Sequence, residues 1–89
     1  MKFYIKEDRW EDFKENHKRY GFENVGGLGV YLKDCTNNRD VIVYSTMLIE
    51  DRKIDKNSKS YEYEGEYRHR TKTYIMDLIS DGYIEARRE

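Results

Sequence analysis

The spacing of apolar positions changes along this chain, and each change marks an element. Residues 2–6 (Lys-Phe-Tyr-Ile-Lys) form a short apolar run suited to a strand. From Glu7 to Tyr20 the period becomes helical, because Trp10, Phe13, His17 and Tyr20 recur at spacings of three, four and three and make one stripe. Acids lead this segment (Glu7, Asp8, Glu11, Asp12) and bases close it (Lys14, Lys18, Arg19), as the helix dipole favours. Gly21 offers a left-handed cap, with Phe22 placed to pack back on the last turn.

Beyond the glycine-rich turn at Val25-Gly26-Gly27, residues 28–34 read as a strand. Residues 36–40 (Thr-Asn-Asn-Arg-Asp) carry turn chemistry, since Asn and Asp tolerate positive φ. Val41–Glu50 is rich in β-branched and aromatic residues, which predicts a hairpin across 28–50. Asp51–Ser60 is charged and reads as a loop or an extended hairpin tip. Tyr61, Tyr63 and Tyr67 alternate with Glu62, Glu64 and Glu66, the period-2 pattern of a half-buried strand. A second helix is predicted over Thr71–Asp81, ended by Gly82, with Tyr83–Arg87 as a closing strand. The order is β-α-β-β-β-α-β. It predicts an α+β domain spanning 1–89, with two helices on one face of a small, mostly antiparallel sheet. A ferredoxin-like sandwich with an added strand is one arrangement of this kind.

Composition narrows the reading. Leu, Ile, Val and Phe number only 18 of 89 residues, but nine tyrosines and a net charge of −1 argue for folding over disorder. The expected core is thin, with tyrosine supplying apolar area. Neither half has the basic excess that phosphate binding produces, nor the acidic excess of a nucleic-acid mimic. The single cysteine, Cys35, allows no internal disulfide and no site built on paired thiolates. Charge returns too soon after Met1 for a signal-peptide core, and no apolar run approaches about 18 residues. The expectation is a soluble protein of the cytoplasm without a membrane partner.

Candidate chemistry is sparse. His17 lies on the apolar stripe of the first helix and reads as packing, while His69 stands between Arg68 and Arg70. Cys35 has no histidine nearby in sequence to act as its base. Gly26-Gly27-Leu28-Gly29 follows a helix and opens a strand, the reverse of a phosphate loop, and lacks the lysine and hydroxyl of one. No catalytic residue, metal ligand or cofactor is assigned, and the chain reads as non-enzymatic. The tail Tyr74–Arg88 resembles the end of a winged-helix domain, in which a helix stops at glycine and runs into a wing strand. That family has helices directly upstream, where this chain reads as strands.

The most unusual segment is 61–72. On a strand, Tyr61, Tyr63 and Tyr67 share a face, and Arg68, His69, Arg70 and Lys72 follow it. Two functions are expected from these features. The leading one is a protein-binding module, since tyrosine and arginine are favoured at interface hot spots and a free sheet edge can accept a partner's strand or a second copy. Absence of proline and abundant Lys, Asn, Tyr and Ile suit an AT-rich genome. This suggests a phage or mobile-element inhibitor of a host defence enzyme, of the anti-CRISPR kind, working in the host cytoplasm. The alternative is nucleic-acid binding through the same Tyr/Arg/His segment, with bases stacking on tyrosine.

Overall fold

The computed structural model describes residues 1–27, 29–34, 38–65 and 75–88. Six strands form one sheet: β1 (Lys2–Ile5), β2 (Glu23–Val25), β3 (Val30–Asp34), β4 (Arg39–Val43), β5 (Leu48–Lys53) and β6 (Ile84–Arg87). Their spatial order is β2-β3-β4-β5-β1-β6, and every neighbouring pair is antiparallel. The helices are α1 (Trp10–Asn16), α2 (Lys59–Glu64) and α3 (Ile75–Ser80). The chain is therefore a small α+β domain, as its pattern predicts.

The first helical segment forms where the stripe places it, with 3-10 turns at Glu7–Arg9 and His17–Tyr20 flanking α1. Its stop is the expected one. Gly21 takes φ 84°, its N–H bonds the Lys18 carbonyl at 3.0 Å, and Phe22 N–H bonds the His17 carbonyl at 3.0 Å. Helix α3 ends in the same way at Gly82, φ 76°, with Tyr83 N–H on the Leu78 carbonyl at 3.0 Å.

Four expectations are corrected. Val41–Glu50 is not one strand but the β4–β5 hairpin, turning at residues 44–47. That turn holds Ser45 and Thr46 but no Gly, Pro, Asn or Asp, and Met47 itself takes φ 73°, a position the local sequence does not announce. Strand β5 then runs on through the charged residues to Lys53, past the predicted start of a loop. Strand β2, three residues long, is too short to show a period. The Tyr/Glu alternation at 61–64 lies on helix α2 rather than a strand.

Two clusters fill the domain, one on each face of the sheet. Ile5, Phe13, Tyr20, Phe22, Tyr31, Val41, Val43, Leu78 and Tyr83 pack between the sheet and helices α1 and α3. Val25, Leu32 and Ile42 form a smaller cluster on the other face. Phe13 is fully buried and central, at 5.7 Å from Trp10, 5.2 Å from Tyr31 and 5.4 Å from Phe22 between ring centroids. Three of the nine tyrosines (Tyr20, Tyr31, Tyr83) are buried here, so aromatic rings do replace missing aliphatic volume. His17 packs as expected, its ring 4.7 Å from Tyr31 and its Nδ1 2.7 Å from the Lys14 carbonyl. Lys33 is buried on the same side and donates from Nζ to the Tyr20 carbonyl at 2.6 Å, at the end of the helical run.

Tyr20 joins α3 to the first helix by donating its hydroxyl to Asp81, while its ring lies 5.4 Å from Tyr83 and Arg9 caps Tyr83 at 4.1 Å. Burial first, and then the hydrogen bond to Asp81, push the Tyr20 phenol above its ordinary value of 10.0. The folded state therefore holds this proton more tightly than the unfolded chain does. The stabilisation is whole below pH 10 and is lost as pH rises beyond it. In urea unfolding, the wild type should lose more stability between about pH 9 and pH 11 than Tyr20→Phe, and equal slopes would refute the assignment. Phe13→Ala should cost about 3–5 kcal/mol by the same measurement, whereas a loss under about 1 kcal/mol would show that Phe13 is not the centre of the core.

Candidate functional site

Only part of the predicted binding segment lies among the described residues. Tyr67, Arg68, His69, Arg70 and Lys72 fall outside them, as does Cys35. Tyr61 and Tyr63 lie on α2, where two residues apart means about 200° around the axis. They do not share a face: Tyr61 is half-buried and Tyr63 is 52% exposed. The continuous aromatic platform that a strand would make is absent at these two positions.

What holds α2 in place is a charged node that its sequence pattern hides. Arg52 on β5 donates from Nε to Asp40 Oδ1 at 2.9 Å and from Nη2 to Asp40 Oδ2 at 3.0 Å. The same Nη2 reaches Glu64 Oε2, on the last turn of α2, at 3.0 Å. Asp40 and Glu64 are buried, and Arg52 is only partly exposed. Asp40 alternates with Ile42 along β4, so the node sits on the sheet face opposite α1. Burial alone would lower the guanidinium's pKa. The hydrogen bonds to Asp40 and then Glu64 outweigh it and raise the value above the ordinary one for arginine, so the cation is permanent. A cavity of about 210 Å³ adjoins the node, between Asp40, Lys53, Ile54, Ser58 and Glu64. The arrangement is a clamp: both carboxylates are engaged by Arg52. Among the described residues no group of three or more His, Cys, Asp or Glu is disposed to hold a metal.

A second feature lies at the far end of the sheet. Among the described strands β6 is an edge, bonded only to β1, with Phe3 opposite Ala86 and Tyr4 opposite Glu85. Phe3 is 53% exposed although it shares a face with the buried Ile5, and Met1 before it is also exposed. Phe3 also stands opposite Ile49 on β5, so Ile49, Phe3 and Ala86 form a row running out to the edge. On the other face Glu85 and Arg87 bond one another at 2.8 Å, and the Arg87 guanidinium lies 4.3 Å over the Tyr4 ring. Lys6 N–H bonds the Tyr83 carbonyl at 2.8 Å, which sets the phase of the ladder. Tyr83, Glu85 and Arg87 therefore turn their backbone groups toward β1, and Ile84, Ala86 and Arg88 turn theirs outward.

The chain's composition points to a free edge without saying which strand it is. The local signal for β6 is an alanine between two opposite charges, Glu85-Ala86-Arg87, with the aromatic Phe3 in the first strand. No described helix is long and apolar enough to cross a membrane. The chain matches no family model, no curated protein and no solved structure.

Removing Arg52 leaves two buried carboxylates facing each other. Arg52→Ala should destabilise the domain by about 3 kcal/mol in urea unfolding, and Arg52→Lys should recover less than half of that, because an ammonium cannot make the paired contact. Full recovery by lysine would show that charge alone, rather than the forked geometry, holds the clamp.

Proposed function

We propose that this domain is a non-enzymatic protein-binding module that takes an extended segment of its partner onto edge strand β6. The observation that supports it is the pairing of an open hydrogen-bonding edge with an exposed apolar row, Phe3 and Ala86, directly beside it. Unpaired strand backbone supplies affinity to a peptide strand, and the flanking side chains select which peptide. Edge strands are usually blunted by shortness, charged side chains, proline or a bulge. β6 (Ile-Glu-Ala-Arg) is short but carries no proline, its two charges pair with each other, and its smallest side chain lies between them. Where the gene belongs to a phage or mobile element, the partner is a host enzyme and the module its inhibitor. Small size, balanced charge and composition motivate that form.

Ala86→Pro tests the edge with little harm to the fold. Its N–H points away from β1, so proline removes no ladder bond inside the domain but blocks strand addition. The variant should keep the wild-type circular dichroism and lose partners that the wild type captures. A folded variant that captures the same partners as the wild type would sink the reading.

A further inference from the structure

We infer that the strand received by β6 is β6 of a second copy, giving a two-fold dimer with a continuous sheet. This inference deepens the edge-binding reading above and rests on it. A two-fold axis that relates two antiparallel strands of one sheet runs perpendicular to the sheet and keeps each face on its own side, so residues of like parity face each other. Three registers then bring the outward backbone groups of Ile84, Ala86 and Arg88 together. A register centred on Glu85 sets Glu85 against itself, and one centred on Arg87 sets Arg87 against itself. The register centred on Ala86 sets Glu85 of each chain against Arg87 of the other, twice by symmetry. It also makes Ala86 a hydrogen-bonded pair with its own copy.

Charge and backbone phase thus select one register, and side-chain size agrees with it. On the face that carries Phe3, the row becomes Phe3–Ala86–Ala86–Phe3 across the axis. The two small alanines leave room for both exposed rings to lean over the junction and cover the alanine pair between them. On the opposite face Glu85 and Arg87, each 38% exposed and already bonded within the strand, gain a second partner of opposite sign. The other edge has no such match: about Asn24, a two-fold would set Glu23 against Val25 on a three-residue strand. A four-residue ladder is a small interface, so the dimer is weak, with a dissociation constant of about micromolar order.

Sedimentation equilibrium of the wild type, of Glu85→Arg and of Arg87→Glu decides the matter. The wild type should dimerise at micromolar concentration. Each single variant places like charges at both cross-strand positions and should self-associate about tenfold more weakly. An equimolar mixture of the two variants restores opposite charges at every position and should dimerise again, which also shows that both are folded. A monomeric wild type at high micromolar concentration, or a mixture no tighter than its components, overturns self-pairing. If Ala86→Pro still abolishes capture of a different protein, the edge-binding reading stands without the dimer. If Ala86→Pro changes no association at all, both fail.

Discussion

The domain depends on its first strand lying between β5 and β6. Strand β6 has no other neighbour among the described strands, so β1 is what attaches the last strand, and through it α3, to the hairpins of the middle of the chain. Residues near opposite ends of the sequence are thereby paired, with Lys2 opposite Arg87 and Ile5 opposite Ile84. The cost of closing so long a loop is entropic and grows only slowly with length. It is offset by burial of Ile5, Leu78 and Tyr83 against α1. The same placement explains the exposed surface. β1 reaches beyond the cover that α1 gives Ile5, so Phe3 stays exposed on the same face, next to an edge that no other described strand occupies.

The two faces of the sheet are stabilised by different physics. Under α1 and α3 the core is aromatic, with Phe13 among three other rings and Tyr20 tied to Asp81. On the opposite face a small aliphatic cluster gives way to a charged clamp, Asp40–Arg52–Glu64. A six-residue helix such as α2 is too short to be stable by propensity alone. The bond from Arg52 on β5 to Glu64 ties its last turn to the sheet. Ion pairs of this kind are demanding in geometry and add specificity as much as stability.

The two surfaces differ in where their groups are directed. The clamp has its charges matched inward and belongs to the fold. Edge β6 has backbone donors and acceptors and an apolar row directed outward, while Glu85 and Arg87 pair with each other along the strand. On the proposed reading the encounter is with a protein strand, which needs open strand backbone and apolar contact rather than a basic surface.

The sequence by itself determined the elements whose signal is local and periodic. The 3.6-residue stripe from Trp10 to Tyr20, the glycine stops at Gly21 and Gly82 and the short strands at both termini could all be read from it. So could the substitution of tyrosine for aliphatic core, because low aliphatic content with near-zero charge leaves few alternatives. Tertiary structure decided what depends on partners distant in the chain. Tyr61–Glu64 alternates like a strand, yet the segment is helix α2, whose last residue, Glu64, meets Arg52 on β5, a partner distant in sequence. Met47 occupies a left-handed turn because β4 and β5 pair on either side of it. Which strand becomes an edge, and hence where Phe3 and Ala86 come to lie side by side, follows only from the order of strands. Strand order is fixed by how buried faces share a common core, and no local pattern encodes it.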